Sequence, residues 1–433
     1  MTLSDIVNAA VDAIWLSFDP ETIGRGLDIL QQEADAGDPD ADAVLAMAMI
    51  ASDFHWVGSG VHVTYSTALN HLRRSIDGGS ALGATMAVLA NIDLNGIVNS
   101  PANRFTSIAE AFEEVADYAA ASGSGLCHAL LGCIEADDDL YGRIYPEEKE
   151  KKGNVTLPRP YTLKALDDLE KACDAGFSAG LNAYWRMIKA PGMFSQPRLI
   201  AYRRHIDRLV DSGNPEAMRI KADELYNNAL MDPDWAGWPD MPHPDIAKAV
   251  ALYRTSADAG DIIAMSKLAW IYYERNERPD ETFDLFSRAE NRREDAILGS
   301  ALCIYEGRGI EADISAALRK FRSAYSNTGD PRAAALLGVI YQTGTGDIPS
   351  DDETAFRYLR LVEDKYQALL LSDRAKGAVA NALGAAYAFG RGTAQDIEKG
   401  VGYLDRAIEY GNDDAPANRR RFVKTIFGWK QKY

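Results

Sequence analysis

The sequence predicts an all-α solenoid of stacked helix pairs, and three observations lead to this prediction. The chain has 433 residues, which exceeds the roughly 250–300 residues over which a single core usually grows. A short phrase ending in glycine recurs along the chain, and two different helical patterns alternate between the recurrences. A repeat array, in which each unit buries its apolar face against its neighbours, explains all three observations.

The recurring phrase is clearest at Ala34–Gly37, Ala172–Gly176 and Ala257–Gly260. Looser copies end at Gly79, Gly123, Gly213, Gly329 and Gly411, and two degenerate copies lie near Arg293 and Lys376. The ten junctions are about 42 residues apart, a spacing typical of helix-pair repeats. Glycine at the end of a helical pattern predicts a left-handed C-cap. Each junction therefore marks the end of one helix pair.

Two helical patterns alternate around these junctions. The first reads Leu-small-x-x-Tyr, or has the same spacing, and ends at Tyr272, Tyr305, Tyr341 and Tyr387. A loop with two glycines follows at Gly307–Gly309, Gly344–Gly346 and Gly390–Gly392, and then an acidic residue at Asp313, Asp351 and Asp396. The second pattern carries alanine, then an aromatic residue or leucine, then alanine, as in 248–257. We expect the small residue to allow close helix approach and the tyrosine to cover the neighbouring helix.

This order of features resembles the Sel-one-like repeat, a relative of the tetratricopeptide repeat. The resemblance is strong over about 245–411 and recognisable over 22–213. It implies a right-handed α-solenoid of about nine to ten antiparallel helix-pair repeats. It also implies an adaptor that binds a protein or peptide on a concave surface. The first helix of each pair would line that surface, so Tyr272, Tyr305, Tyr341 and Tyr387 are candidate contact residues, with a wholly structural role as the alternative.

The repeats divide the chain into four segments. A helix that caps the array is expected over 1–21, with Ile6, Ala10, Ile14 and Phe18 along one face. Divergent repeats follow over 22–213, with an inserted loop near 141–160, and clearer repeats follow over 214–418. Residues 419–433 carry six basic residues and no acidic one. Their apolar residues are spaced as on one helical face, which predicts a basic capping helix; the alternative is a tail that contacts a membrane surface or nucleic acid.

A second inserted loop, near 231–244, contains four prolines, which exclude regular helix. It also holds Trp235, Trp238 and Met241. Tryptophan is enriched at interface hot spots, so these residues are candidate partner contacts. The alternative is a loop that folds back and buries both indole rings.

The composition narrows the classes of partner. Lys and Arg number 46 against 64 Asp and Glu, a net charge of −18. At long range this charge repels nucleic acid and anionic lipid, and it favours a basic protein. Four scattered cysteines, no signal peptide and no apolar run long enough to cross a bilayer predict a cytoplasmic protein without a membrane span.

The sequence contains none of the common catalytic motifs, so we expect no enzyme, no cofactor and no metal site. His55, His62 and His71 fall within one repeat, but their spacing does not suggest ligation. Two other functions stay open. Some bacterial members of the resembled family are immunity proteins, and an acidic solenoid could neutralise a basic effector. An enzyme with an unrecognised site is the second alternative.

Overall fold

The computed structural model describes residues 2–17, 19–50, 65–89, 104–145, 160–189, 195–226, 245–344, 348–426 and 428–432. These residues form two compact units, Met1–Asp261 and Ile262–Tyr433. Almost all of the regular structure is helical, which confirms the prediction of an all-α repeat solenoid. The inserted loop near 141–160 and the loop near 231–244 fall largely or wholly outside the described residues.

The N-terminal unit contains thirteen helices in the described ranges. They are α1 (Asp5–Trp15), α2 (Pro20–Asp35), α3 (Pro39–Ile50), α4 (Tyr65–Asp77), α5 (Ala81–Leu89), α6 (Ile108–Ser122), α7 (Gly125–Glu135), α8 (Asp138–Ile144), α9 (Pro160–Asp174), α10 (Leu181–Lys189), α11 (Gln196–Asp211), α12 (Pro215–Tyr226) and α13 (Ile246–Asp258). Pairs form between α1 and α2, α3 and α4, α5 and α6, α7 and α9, α10 and α11, and α12 and α13. In the sequence, the short helix α8 falls between the two helices of the fourth pair.

The first helix of the chain differs from the prediction. Helix α1 ends at Trp15, and α2 already begins at Pro20, inside the segment expected to form one capping helix. Helix α1 packs on α2 as the first helix of a pair. Its buried face holds Val7 and Val11 beside Ala10 and Ile14, whereas Ile6 is 51% exposed. The prediction for Ile6 is therefore wrong, because the apolar face is rotated by one residue; Phe18 lies outside the described residues.

The C-terminal unit contains nine helices and two strands in the described ranges. They are α14 (Ile262–Arg275), α15 (Pro279–Ala289), α16 (Glu294–Glu306), α17 (Ile314–Thr328), α18 (Pro331–Thr343), α19 (Asp352–Arg360), α20 (Asp373–Phe389), α21 (Ile397–Glu409), α22 (Ala415–Arg419), β1 (Phe422–Thr425) and β2 (Gly428–Gln431). Helices α14 to α21 form four consecutive pairs. In each pair we call the earlier helix the first helix and the later one the second helix.

The junction glycines take the predicted conformation. All eight, at positions 37, 79, 123, 176, 213, 260, 329 and 411, have positive φ, between 66° and 100°. The degenerate junction near Arg293 lies in the turn between α15 and α16. The junction predicted near Lys376 is wrong, because Lys376 lies inside α20. Here a longer connection with a 3-10 turn at Tyr366–Ala368 replaces the glycine cap, and Ser372 caps α20.

The acidic residue after the glycine loop caps the second helix. The side chains of Asp313, Asp351 and Asp396 accept hydrogen bonds from the backbone amides of Ala316, Thr354 and Lys399. Each bond satisfies one of the amides that a helix start leaves without an intrahelical partner. This explains why the same residue type recurs at these positions.

The loop glycines also allow adjacent pairs to touch. A Cβ added at Gly309 would lie 2.2 Å from the carbonyl oxygen of Pro279, at the start of α15. A Cβ added at Gly392 would lie 2.0 Å from the carbonyl oxygen of Asp352, at the start of α19. Each loop therefore packs its backbone against the second helix of the preceding pair, which only glycine permits.

The last described segment is a β-hairpin where the sequence predicted a helix or tail over 419–433. Strands β1 and β2 pair antiparallel, with Phe422 opposite Gln431 and Lys424 opposite Trp429. The chain reverses between Thr425 and Gly428, which pair across the turn. Phe422 is buried against α20 and α21 in a small cluster with Ala388, Val401 and Leu404.

Candidate partner-binding surface

The four predicted tyrosines lie on the first helices α14, α16, α18 and α20 of the C-terminal unit. Tyr272 is only 2% exposed, and the guanidinium of Arg278 lies 5.7 Å from its ring centre. Tyr387 is also buried, whereas Tyr305 and Tyr341 are partly exposed. The structure thus separates the set into two buried rings and two that reach the surface.

The small residues of the first helices allow close approach, as the pattern predicts. A Cβ added at Gly338 would lie 2.6 Å from Leu359 of α19, and one added at Gly384 would lie 2.8 Å from Leu404 of α21. The tyrosine one turn later then stacks on a second tyrosine. Tyr341 lies parallel to Tyr358, with ring centres 6.0 Å apart, and Tyr387 lies nearly parallel to Tyr403 at 6.1 Å. This stacking joins α18 to α19 and α20 to α21.

The hydroxyl of Tyr387 is engaged in a charged cluster. It donates to Glu363 at 2.9 Å, and Tyr403 donates to the other oxygen of Glu363 at 3.0 Å. The ammonium of Lys399 lies 2.6 Å from Glu363. Burial favours the neutral carboxyl, but these three partners outweigh it and hold the pKa of Glu363 below its usual range. The cluster ties the connection between α19 and α20 to α20 and α21.

Tyr305 contributes to a recess of about 360 Å³. Three consecutive first helices line it: α16 with Tyr305, α18 with Val339 and Thr343, and α20 with Arg374 and Asn381. The chain after α21 closes one side with Asp413 and Asp414, which are both exposed. We call this cavity the first-helix recess. It brings one predicted residue, Tyr305, together with a guanidinium and two carboxylates.

The repeat patterns in the sequence did not indicate the charged residues of the first-helix recess. Arg374 lies in the first turn of α20, where the predicted boundary was wrong. Asp413 and Asp414 directly follow the junction at Gly411. The side chain of Asn412 accepts a hydrogen bond from the backbone amide of Ala415 at the start of the next helix, whereas the side chain of Asp414 makes no capping hydrogen bond. Two consecutive acidic residues at this point were therefore the available signal.

A second recess, of about 550 Å³, lies between α14 and the connection that precedes α20. Its lining includes Tyr273, Arg308 and Leu371. The guanidinium of Arg308 lies 4.2 Å from the ring centre of Tyr273 and donates to its carbonyl oxygen at 2.7 Å. The hydroxyl of Tyr273 donates to Glu306 at 3.1 Å, and burial raises the pKa of this tyrosine. The pattern selected Tyr272, but its neighbour Tyr273 lines the cavity.

Trp235, Trp238 and Met241 lie outside the described residues, as do His55 and His62. His71 is buried, with its Nδ1 atom 2.7 Å from Asp42. Within the described ranges, no group of three or more His, Cys, Asp and Glu side chains is arranged to hold a metal ion. No described helix combines the length and apolar character needed to cross a membrane.

Comparison with protein families decides the nature of the repeats. Residues 236–261, 295–327, 331–361 and 378–412 match the family model described as Sel1 repeat. The chain carries Sel1 repeats. The last three matches coincide with the second, third and fourth helix pairs of the C-terminal unit, so the Sel1 assignment agrees with the pairing of the helices.

Individual proteins resemble this chain at low identity or over part of its length. A segment of 130 residues is 33% identical to the ERAD-associated E3 ubiquitin-protein ligase component HRD3A of Arabidopsis thaliana; it covers 26% of this chain and 19% of that protein. A Sel1 repeat protein from Oxalobacter formigenes is 22% identical, with a TM-score of 0.35, covering 51% of this chain and 81% of its own. A protective antigen of uropathogenic Escherichia coli with an SLR fold is 15% identical, with a TM-score of 0.35, covering 91% and 89%.

Proposed function

We propose that this chain is a binding scaffold, and that the first-helix recess holds part of a protein or peptide partner. Sel1 repeats are in general protein-interaction modules. Stacked helix pairs present the same face of successive first helices side by side, which makes an extended surface for a partner.

One observation carries the proposal: three successive first helices share a single recess with acidic groups at its edge. Partly exposed Tyr305 gives the recess an aromatic wall, and tyrosine supplies large contact area at interfaces. A partner side chain can therefore enter between helices that belong to three different repeats. We propose that Tyr341 makes a weaker contact with the partner on the same face, because its ring is stacked and only partly exposed.

The charge of the recess favours a basic partner group. Asp413 and Asp414 are exposed at its edge, and the whole chain has a net charge of −18. Arg374 also contributes to the lining. A lysine or arginine next to a backbone carbonyl or a carboxylate would complement both signs. Long-range attraction would also accelerate the encounter.

Two further considerations agree with this proposal. The Arabidopsis relative is a component of an E3 ubiquitin-protein ligase, which is a role within an assembly. The acidic net charge also keeps neutralisation of a basic effector as the alternative form of partner binding. In that case co-expression with the effector would restore growth, whereas an adaptor would give no rescue.

The test begins with affinity capture from native lysate and measurement of Kd for the captured protein. The variant Asp413→Lys with Asp414→Lys reverses the charge at the edge of the recess. We expect it to weaken binding by roughly tenfold or more and to reduce the salt dependence of association. The matched control is Glu353→Lys with Asp364→Lys, which makes the same charge change at exposed residues that do not line the recess.

Circular dichroism would show that both variants retain their helical content. Equal loss of affinity in the control would assign the effect to net charge rather than to the recess. Unchanged affinity in the recess variant would contradict the proposal.

A further inference from the structure

The C-terminal β-hairpin carries a positive charge on an acidic chain. Arg419–Tyr433 contains six basic residues and no acidic one. Arg419 forms an ion pair with Asp405 at 2.6 Å. The other five cations, Arg420, Arg421, Lys424, Lys430 and Lys432, are exposed and have no acidic partner among the described residues. Their charge is therefore available to an external anion.

The turn of the hairpin presents an apolar side chain to solvent. Ile426 is 93% exposed, the highest value of any exposed large hydrophobic residue in the described ranges. Its position at the reversal between Thr425 and Gly428 places it beyond the ends of both strands. A second apolar side chain, Val423 on β1, is 40% exposed. Burial of such side chains in an apolar medium is favourable, so the tip of the hairpin would gain free energy by entering an apolar medium.

The base of the hairpin is firmly anchored. Phe422 is 2% exposed, and its ring centre lies 5.2 Å from that of Phe389. Trp429 packs against the same cluster, with the guanidinium of Arg419 4.5 Å from its ring centre. The ammonium of Lys424 lies 5.9 Å from this ring as well. The hairpin thus projects its turn from a fixed base.

From this arrangement we propose that the hairpin docks on the surface of an anionic phospholipid bilayer. Ile426 would enter the boundary of the acyl region, while Lys424 and Lys430, one on each strand, would contact the headgroup phosphates. Each Lys or Arg near an anionic membrane surface strengthens binding by about fivefold. An apolar tip between cationic strands matches a surface that is anionic outside and apolar beneath.

Single-stranded nucleic acid fits this surface less well. Binding without sequence preference usually needs exposed aromatic rings on which bases stack. The described aromatic residues of the hairpin, Phe422 and Trp429, instead pack against the helices. The proposed membrane contact is independent of the first-helix recess, so each can fail without the other.

Co-sedimentation of the full chain with vesicles tests the proposal. We expect binding at low salt to phosphatidylcholine vesicles that contain phosphatidylserine, and little binding to phosphatidylcholine alone. Lys424→Glu with Lys430→Glu should weaken binding by about thirtyfold or more. Ile426→Ser should weaken it by roughly tenfold.

Two matched controls are available in the same unit. Arg360→Glu with Lys365→Glu repeats the charge change at exposed residues, and Leu370→Ser replaces a side chain that is 59% exposed. Both controls should bind like the parent. The proposal is overturned if the hairpin variants bind as well as the controls, or if the parent does not bind the anionic vesicles. Retention on single-stranded DNA, or self-association lost in the hairpin variants, without vesicle binding would overturn it equally.

Discussion

The ring nitrogen Nδ1 of His128 lies 2.6 Å from Oδ1 of Asp168, and both side chains are buried in the N-terminal unit. His128 is on the first helix α7 and Asp168 on the second helix α9. In the pair formed by α3 and α4 the same contact occurs with the residue types exchanged. There Asp42 lies on the first helix, and His71 on the second approaches it to 2.7 Å.

The two contacts occupy equivalent positions. The backbone amides of Asp42 and His128 both donate to the carbonyl of the residue that precedes the first turn of their helix. His71 directly precedes buried Leu72, and Asp168 directly precedes buried Leu169. In these two helix pairs, therefore, one imidazole and one carboxylate meet at this position, in either order.

Exchange of the pair tests this interpretation. Asp168→His alone places two imidazoles together and removes a charged acceptor, so we expect a loss of about 2–3 kcal/mol in the free energy of unfolding. His128→Asp combined with Asp168→His should recover most of that loss. Urea denaturation of the parent, the single variant and the exchanged variant measures the difference. A double variant less stable than the single one would refute the equivalence.

The stability of the protein should depend on pH because of Glu135, which lies in the same helix pair. It is 1% exposed, and Lys164 lies 2.8 Å from its Oε1 atom. Burial exceeds the effect of Lys164 and raises the pKa of Glu135 to about 7. A carboxyl with a raised folded-state pKa binds its proton more tightly in the folded chain. Its contribution to stability is therefore present at low pH and is lost as the pH rises towards 7.

Glu135→Gln removes this titration. We expect the variant to be more stable than the parent at pH 8, by up to about 3 kcal/mol, and the difference to shrink as the pH falls towards 5. Paired urea titrations across this range measure it. A stability difference that does not change with pH would show that Glu135 ionises normally in the folded chain.

Two glycines, one in a loop and one on a helix surface, offer a matched pair of substitutions. Gly392 has φ of 69°, and an added Cβ would collide with the start of α19, so Gly392→Ala should cost about 2–4 kcal/mol. Gly402 is exposed on α21 with nothing within 4 Å of an added Cβ. Gly402→Ala should therefore stabilise the chain by about 0.5–1 kcal/mol. Thermal unfolding should show opposite shifts in midpoint; equal shifts would contradict the packing described.

The four thiols should be unreactive in the folded protein. Cys127, Cys133, Cys173 and Cys303 are all buried and free. Burial raises the pKa of Cys127, Cys173 and Cys303 to about 12, so little thiolate exists at neutral pH. We expect a thiol-specific chromogenic disulfide to react with all four only after denaturation. Rapid reaction of one thiol at neutral pH would show that its helix opens locally.

Sequence patterns predicted what depends on local chemistry. Glycine at a helix end favours positive φ whatever surrounds it, so eight junctions were predicted correctly. The junction near Lys376 failed because no glycine marks the connection before α20. The tyrosine positions were also predicted, but whether a ring is buried or exposed depends on the facing helix. Tyr272 and Tyr305 share one pattern and differ in exposure for that reason.

The hairpin and the buried pairs required tertiary information. Phe422 and Trp429 are spaced as on one helical face, and the structure places them on one face of two strands instead. The β-branched residues Val423, Thr425 and Ile426 and the glycine at 428, with φ of 104°, were the signals against a helix. His128 and Asp168 are 40 residues apart, so only alignment of one repeat on another could have brought them together.

Photo-crosslinking can show whether a partner occupies the first-helix recess. Benzoylphenylalanine would replace Thr343, an exposed residue of the recess, or Glu353, an exposed residue outside it. After irradiation in native lysate, we expect a discrete protein adduct from position 343 and none from position 353. Adducts of equal yield from both positions, or from position 353 alone, would contradict the proposal.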